Sequence, residues 1–280
     1  MHDTQLYRRP TDLHIHSWFS DGTQSPEEIV TIAADSGLSA VAISDHDAVE
    51  GLDEAAEAAS AAGIDLVPGV ELCAREDSVE IHLLGYFVDP SDEALLATLK
   101  RLCNGRVERL HKMADRLKEL GVTVNPDEVL ELAGRGSVGR LHLADYLSRK
   151  GITYSTGQAF RRYLGEGEPA YVPSPQLAVP EAISLLHGAG GVAVLAHPGV
   201  TGHDKLIPDL AKHGLDGIEA FHPRHDDALS NFYSSIAAER GLLVTGGSDS
   251  HGRKNVESIG SVTVPHSCVE KLEEKAREYR

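Results

Sequence analysis

The feature that most constrains the fold is a unit that repeats along the chain. Each unit is a short apolar run rich in β-branched residues, then a polar stop, then an Ala/Glu-rich stretch of helical character. Strands that alternate with helices of crossover length are typical of a parallel sheet covered by helices. About seven repeats predict a closed or nearly closed α/β barrel. The apolar runs are 11–16, 40–44, 64–72, 79–88, 191–197, 216–222 and 242–251.

Helix boundaries can be read between the first runs. Ser25, with Glu28 three residues later, is the capping-box pattern, and Gly37 marks the end of that helix. Asp47 is the predicted cap of a second helix, which ends near Gly63. These signals support the assignment of crossover helices to the stretches that separate the strands.

Residues 91–178 interrupt the repeat. A long helix is predicted to begin after Ser91, and three shorter helical segments separated by glycines follow it, with no strand among them. We therefore predict one barrel built from residues 1–90 and 179–280. Residues 91–178 would form a helical insertion domain that caps the substrate site.

The charge of the chain is unevenly distributed. The formal net charge is −17, yet residues 100–162 hold 13 Lys/Arg and 7 Asp/Glu, a net charge of +6. An acidic protein is repelled by long nucleic acid duplexes and by anionic membranes, whereas a local basic segment can still bind a phosphate. No run reaches membrane-spanning length and no secretory signal is readable, so a cytoplasmic protein is expected.

Every predicted strand has an ionisable side chain near its carboxyl end. In a parallel barrel these ends share one face, and unpaired charges buried there would be costly. Imidazole and carboxylate groups suit Mn, Fe or Zn, and there are more of them than one ion needs, so two or three divalent ions are predicted. The strand-end residues are His14, His16, Asp45, His46, Asp47, Glu71, His82, His197, Glu219, His222, Asp249 and His251.

Seven segments together resemble a known family. They are "DLHIHSWFSDG", "AISDHDAVEG", "VPGVELCA", "IHLLGYFVD", "VLAHPG", "GIEAFHPRH" and "GGSDSHG". In this order they resemble the polymerase and histidinol phosphatase (PHP) superfamily, and are similar to its phosphoesterases of the 3′,5′-nucleoside bisphosphate phosphatase and RNase AM group. The resemblance implies a distorted (β/α)7 TIM-like barrel with a helical insertion and a trinuclear metal site.

The resemblance also implies a ligand set. Carried over by motif, His14, His16, Glu71 and Asp249 hold one ion, Asp21, His46 and His251 hold the second, and Glu71, His82 and His197 hold the third. The implied reaction is hydrolysis of a phosphomonoester in a small phosphorylated substrate, with a 3′,5′-bisphosphate nucleotide as the candidate. Metal binding can lower the pKa of water from 15.7 to roughly 7, which supplies the hydroxide.

The substrate's phosphate calls for a cationic clamp, and a guanidinium group fits it well. Arg140 and His142 are the first choice, because the resembled group has an Arg-x-His at this point. Trp18, the only tryptophan, either packs at the mouth of the site or stacks on a base. The candidates are Arg140, His142, Arg161, Arg162, Tyr163 and His225 for substrate contact, with Glu71 and His222 as catalytic residues. Either His222 or His225 could contact the phosphate or protonate the leaving oxygen.

Alternative functions remain open at this level. Within the family, the chain could trim the 5′ end of short RNA or hydrolyse a cyclic phosphate. A metal-dependent amidohydrolase would usually bridge its ions with a carboxylated Lys, and no predicted strand end carries Lys. A non-catalytic PHP module would have lost ligands, whereas all nine positions are present.

Overall fold

The computed structural model describes residues 9–77, 79–134, 136–174, 176–253 and 257–280. Its centre is one mixed sheet with the strand order β8-β7-β6-β4-β3-β2-β1-β9, and β5 pairs with β3 outside this path. The strands are β1 (Pro10–Ile15), β2 (Ala40–Ile43), β3 (Asp65–Glu76), β4 (Val79–Tyr86), β5 (Leu177–Ala178), β6 (Val192–Leu195), β7 (Gly217–Phe221), β8 (Leu243–Gly246) and β9 (Val264–Pro265).

The sheet nearly closes on itself. The chain that follows β8 returns to β1, where the His16 backbone N–H donates to the Ser250 carbonyl at 2.9 Å and Ile15 pairs with Ser250 in a parallel bridge. The predicted α/β barrel is therefore confirmed.

Helices cover the outside of the barrel and build the insertion. Those of the barrel are α1 (Pro26–Asp35), α2 (Leu52–Ala62), α7 (Val179–Gly188), α8 (Pro198–Thr201), α9 (Ile207–Lys212), α10 (Asp227–Arg240) and α11 (Ser267–Ala276). Those that follow β4 are α3 (Glu93–Glu119), α4 (Pro126–Ala133), α5 (Arg140–Arg149), α6 (Thr156–Ala159) and a π-helical turn (Phe160–Leu164). Across the described part of the chain, no helix is both long and apolar enough to cross a membrane. The cytoplasmic location stays a prediction.

The expectation of a wholly parallel sheet is wrong at β4. This strand runs antiparallel to both of its neighbours, β3 and β6. Only two residues separate Glu76 from Val79, and a parallel pair needs a crossover of a dozen residues or more. The connection between β3 and β4 is therefore that of a hairpin, and the chain reverses its direction within the barrel wall.

One predicted cap is confirmed and two are displaced. Ser25 and Glu28 form the reciprocal capping box of α1. The helix α2 begins at Leu52 instead of after Asp47, because the Asp47 carboxylate accepts hydrogen bonds from Arg106 and from the Cys73 N–H.

At the start of α3 the cap is Asp92, whose carboxylate accepts from the Leu95 N–H at 2.7 Å. Ser91 does not cap the helix, since its hydroxyl donates to the Asp89 carboxylate at 2.7 Å.

The insertion has an apolar core of its own. Leu117, Val129, Leu143 and Leu164 belong to a cluster that is separate from the clusters around the barrel sheet. The first turns of α3 instead pack into the barrel, through Leu95, Leu99 and Leu102 among others. The expectation of no strand in residues 91–178 is wrong at its end, because β5 pairs with β3. A separate core supports the division into barrel and insertion, which stays a proposal.

Candidate metal centre

Alternation along β1 aims the first two histidines of the centre. Leu13 and Ile15 are buried in apolar clusters. Successive side chains of a strand point to opposite faces, so His14 and His16 share the other face. Both imidazoles are fully buried, and their Nε2 atoms lie 3.1 Å apart.

Three backbone hydrogen bonds near the ends of the strands bring the other predicted ligands close to these two histidines. The Glu71 N–H donates to the Asp45 carbonyl at 3.1 Å, which places His46 beside Glu71. The Ala196 N–H donates to the His82 carbonyl at 3.0 Å, which places His197 beside His82. The bond from His16 to Ser250 brings Asp249 and His251 to β1 in the same way.

The side chains form three overlapping groups in which donor atoms lie within 4.8 Å of one another: His14, His16 and Asp249; His16, Asp21, His46 and His251; and His46, Glu71 and His82. His197 joins the last group, with its Nε2 3.1 Å from Glu71 Oε1. The structure thus gathers all nine predicted ligands. The grouping differs from the implied one, because His16 and His46 each belong to two groups.

Glu71 lies between the groups. Its Oε1 faces His82 Nδ1 at 2.8 Å, and its Oε2 faces His46 Nδ1 at 3.0 Å and His16 Nε2 at 3.3 Å. Its carboxylate is fully buried. A carboxylate whose two oxygens face different sets of imidazoles has the arrangement of a bridging ligand.

The donor set fits divalent cations. Burial opposes ionisation of Glu71, but the surrounding imidazoles hold its pKa well below the usual range. Burial lowers the pKa of His46 to about 3, so this ring is neutral. His46 Nδ1 and Asp21 Oδ1 are buried and make no well-aligned hydrogen bond among the described residues, although they lie 3.0 Å from Glu71 Oε2 and 3.2 Å from His251 Nε2. Ionised carboxylates and neutral imidazoles that converge in this way are the ligands that Mn, Fe and Zn prefer.

A proton at His16 would compete with such a cation. Burial opposes protonation of this ring, and the Asp249 and Glu71 carboxylates overcome that effect and raise the pKa of His16 to about 10. Metal ligands must be deprotonated, so occupancy of the centre should release a proton here.

Two of the predicted ligands have strained backbones. His197 has a φ of 28° and Asp249 a φ of 49°, both in the left-handed region. Such a conformation costs about 1–3 kcal/mol and persists only where the surroundings enforce it. Both residues follow a strand of the barrel, and the strain is a further sign that their side chains serve the site.

Glu219 contacts two of the predicted ligands, a position that the sequence did not reveal. Its carboxylate contacts His14 Nδ1 at 2.9 Å and accepts from the His197 N–H at 2.7 Å. A proton held on Nδ1 leaves the His14 Nε2 lone pair facing the cluster. The apolar run "DGIEAFH" contains the signal, a fully buried acid in a strand, but the partner becomes visible only in three dimensions.

Arg106 is a second residue that sequence reasoning missed. It pairs with Asp47 through Nε and Nη2, and its Nη2 lies 3.0 Å from Cys73 Sγ. Cys73 Sγ is in turn 3.6 Å from His82 Nε2. On a long basic helix, nothing in the sequence separates this buried arginine from its exposed neighbours.

The two predicted histidines that follow β7 differ in their surroundings. His222 Nδ1 accepts from the Arg224 N–H, which leaves the proton on Nε2, 3.3 Å from Asp249 Oδ2. In His225, Nε2 accepts from the Gly199 N–H and Nδ1 contacts the Ala220 carbonyl. Both His225 nitrogens are thus engaged by the backbone, which argues against the predicted phosphate contact.

The predicted substrate residues of the insertion divide into two sets. Arg140 lies beside the centre, with Nη2 3.5 Å from Glu80 Oε1, an oxygen that is 3.7 Å from His82 Nε2. His142 lines a cleft next to the loop that carries Asp21.

The other set is one turn near the end of the insertion. Tyr163 is buried in the core of the insertion, which argues against substrate contact, and Arg161 and Arg162 are exposed. No contact found among the described residues joins these three to the ligand cluster, and the roles of the two arginines stay predictions.

The barrel is nearly closed, and nine imidazoles and carboxylates gather at one end of it. This is the architecture of a metal-dependent α/β-barrel enzyme. The family model of the PHP domain matches residues 12–134. A "5′-3′ exoribonuclease" of Haemophilus influenzae is 37% identical over 86% of this chain and 89% of that protein. The chain belongs to the PHP family, and it is a metal-dependent phosphoesterase.

The chain is also similar to relatives that are named for other activities. A "3′,5′-nucleoside bisphosphate phosphatase" of Chromobacterium violaceum is 35% identical over 86% of both chains. A "phosphoribosyl 1,2-cyclic phosphate 1,2-diphosphodiesterase" of Eggerthella lenta is 35% identical over 86% of this chain and 94% of that protein. A crystal structure from Bifidobacterium adolescentis, assigned as a metal-dependent phosphoesterase, superposes with a TM-score of 0.87 at 34% identity and covers 94% of both chains.

Proposed function

We propose that this protein removes a phosphate from a nucleotide that carries 3′ and 5′ phosphates, with two or three Mn, Fe or Zn ions held by the nine gathered side chains. The observation that carries the proposal is the position of Glu71, whose two oxygens face the imidazoles of neighbouring donor groups. When bound, divalent ions supply Lewis acidity to a water nucleophile and to the phosphoryl oxygens.

The chain's own residues supply the proton for the leaving oxygen. His222 holds a proton on Nε2, at the edge of the cluster beside Asp249. A leaving alkoxide that forms next to Asp249 would lie within reach of this proton. Glu71 has the other predicted catalytic role, because it fixes the separation of the donor groups.

A group of arginines supplies the anion clamp. Arg140 lies over the rings of Tyr171 and Phe160, at 5.5 and 5.8 Å from the ring centroids. Burial and the neighbouring Arg140 guanidinium lower the pKa of Arg109 to about 10, and Arg109 Nη2 is buried without a hydrogen-bond partner among the described residues. Concentrated positive charge next to Glu80 and the centre suits a phosphate that would replace Glu80 as the partner of Arg140.

The test is a phosphate-release screen with Mn-loaded protein on nucleotides, bisphosphate nucleosides, cyclic phosphates and short RNAs. We expect adenosine 3′,5′-bisphosphate to be among the best substrates. The variants Glu71→Gln and Asp249→Asn should lose more than about a hundredfold in kcat, beyond the 10- to 100-fold typical of residues that only orient ligands. Tyr154→Ala, on an exposed residue of the insertion, is the matched control. Unchanged turnover in both ligand variants would contradict the proposal.

A second candidate is trimming of short RNA from the 5′ end. The similarity to the H. influenzae exoribonuclease favours it, as does the net charge of +6 in residues 100–162. An arginine clamp that accepts one phosphate can seat a 5′-phosphate while the next linkage is cut. Comparison of kcat/KM for a 5′-phosphorylated dinucleotide and for a bisphosphate nucleoside separates the two activities.

A further inference from the structure

A cleft of about 540 Å³ lies between the barrel and the insertion. One wall is the loop after β1, with Trp18, Ser20 and Thr23, and the other wall is the end of α4, with Leu132 and Ala133. This volume falls within the range of about 300–1,000 Å³ that is typical of small-molecule sites. The nine predicted metal ligands and the arginines of the proposed clamp do not line this space, whereas His142 does.

The cleft adjoins the metal centre. Ser20 and Gly22, which line it, flank Asp21, whose Oδ1 is 3.2 Å from His251 Nε2. A phosphoryl group bound at the centre would therefore place the rest of its molecule at the cleft.

Trp18 is held as a fixed platform at this wall. The Trp18 backbone N–H donates to the Gln24 carbonyl at 2.9 Å, and the indole ring meets Phe19 edge-on with a centroid separation of 6.5 Å. Trp18 is nevertheless 44% exposed. Because the ring is already positioned, stacking on a ligand would cost little ordering entropy.

The insertion supports the back of this loop. The Ser137 N–H donates to the Phe19 carbonyl at 3.1 Å. A Cβ on Gly136 would come within 2.7 Å of the Trp18 and Ser20 carbonyl oxygens, so the two backbones touch directly. The two walls of the cleft are thus joined at its base.

One polar group in the cleft is free to bind a ligand. The hydroxyls of Ser20 and Thr23 donate to groups of the protein. His142 Nδ1 accepts from the Gly139 N–H at 3.0 Å, so the neutral ring carries its proton on Nε2, for which the described residues offer no partner. Apolar walls, an exposed indole and one N–H donor suit a flat heteroaromatic ring that has acceptor nitrogens.

We propose that this cleft binds the nucleobase of the substrate and that Trp18 stacks on it, which makes Trp18 the residue that selects nucleotides over base-free sugar phosphates. The inference rests on the proposed function, because it assumes that a nucleotide phosphate is bound at the centre. A base site would also set the chain apart from its phosphoribosyl cyclic phosphate diesterase relative, whose named substrate has no base, and place it with the nucleoside bisphosphate phosphatase.

The first test uses the single tryptophan as its own reporter. Metal-loaded protein is titrated with adenosine 5′-phosphate and with ribose 5-phosphate, which differ only in the base, and indole fluorescence is excited at wavelengths that adenine does not absorb. We expect saturable quenching by adenosine 5′-phosphate and none by ribose 5-phosphate. Equal responses to the two probes, or no response to either, would overturn the assignment.

The second test separates binding from chemistry. Base–aromatic stacking is lost in Trp18→Ala, so KM for adenosine 3′,5′-bisphosphate should rise about five- to a hundredfold while kcat changes less. Trp18→Phe keeps an aromatic face and should show a smaller rise. Tyr154→Ala, on an aromatic that is 96% exposed elsewhere in the insertion, should leave KM within about twofold. A KM in Trp18→Ala equal to that of the parent would contradict the inference.

The two levels of the proposal fail differently. If Mn-loaded protein releases no phosphate from any nucleotide, the proposed function is wrong, whatever the fluorescence shows. If it hydrolyses nucleotides but neither quenching nor the rise in KM is seen, the phosphatase stands and the nucleobase site is wrong.

Discussion

Single residues of the centre were predictable to the extent that their chemistry is local. His14 and His16 were found because a His-x-His in a strand puts both rings on one face. Glu219 appeared in the same strand-end pattern, yet its task depends on the distance from its carboxylate to two rings on other strands, and no linear pattern encodes that distance. Arg106 was missed for the same reason, because its partner Asp47 is 59 residues away in sequence.

Replacement of the orienting carboxylate tests this account of the centre. In Glu219→Gln the His14 ring loses the charged acceptor that fixes its tautomer, so metal affinity and kcat should each fall by about 10- to 100-fold. The fold should survive, because an amide keeps the size of the side chain. The measurements are a competitive metal titration and a thermal melt. Parent-like metal affinity in a folded variant would show that Glu219 does not position the ligand.

The position of a helix or strand was predictable where a sequence pattern determines it. The direction of a strand was not predictable where a short connection determines it. Alternation of apolar runs and helices predicted the barrel, and the capping box of Ser25 and Glu28 predicted the start of α1. The predicted direction of β4 was wrong, because an apolar run of this kind looks the same in a parallel and in an antiparallel strand. The short connection between Glu76 and Val79 decides the direction.

The helix α3 ties the insertion to the barrel through a buried ion pair. Both partners, Arg106 and Asp47, are almost fully buried. Arg106→Leu would leave the Asp47 carboxylate buried without its partner, and we expect a loss of about 3–5 kcal/mol in the free energy of unfolding. Arg101→Ala is the control, because Arg101 is on the same helix and its pair with Glu181 is exposed, which limits its effect to about 1 kcal/mol. Equal losses in the free energy of unfolding for the two variants, measured by urea denaturation, would show that the buried ion pair does not hold the insertion to the barrel.

At the scale of the whole molecule, the charge distribution follows the architecture. The chain is strongly acidic, yet the segment with a net charge of +6 belongs to the helices of the insertion, one of which brings Arg140 beside Glu80 at the edge of the metal centre. Opposite charge near the site attracts a phosphorylated substrate, while the acidic remainder repels long polyanions. Composition predicted this contrast, but the cleft between insertion and barrel was not predictable, because it depends on how Gly136 packs against the loop of Trp18.

The central claim is that the gathered histidines and carboxylates hold the ions on which phosphoester hydrolysis depends. The most direct measurement strips the protein with a chelator, adds Mn stepwise, and follows phosphate release from adenosine 3′,5′-bisphosphate together with bound metal per chain. We expect no release from the stripped protein, and activity that rises until two or three ions are bound per chain. Full activity in the stripped protein, or a refilled protein that releases no phosphate, would contradict the account.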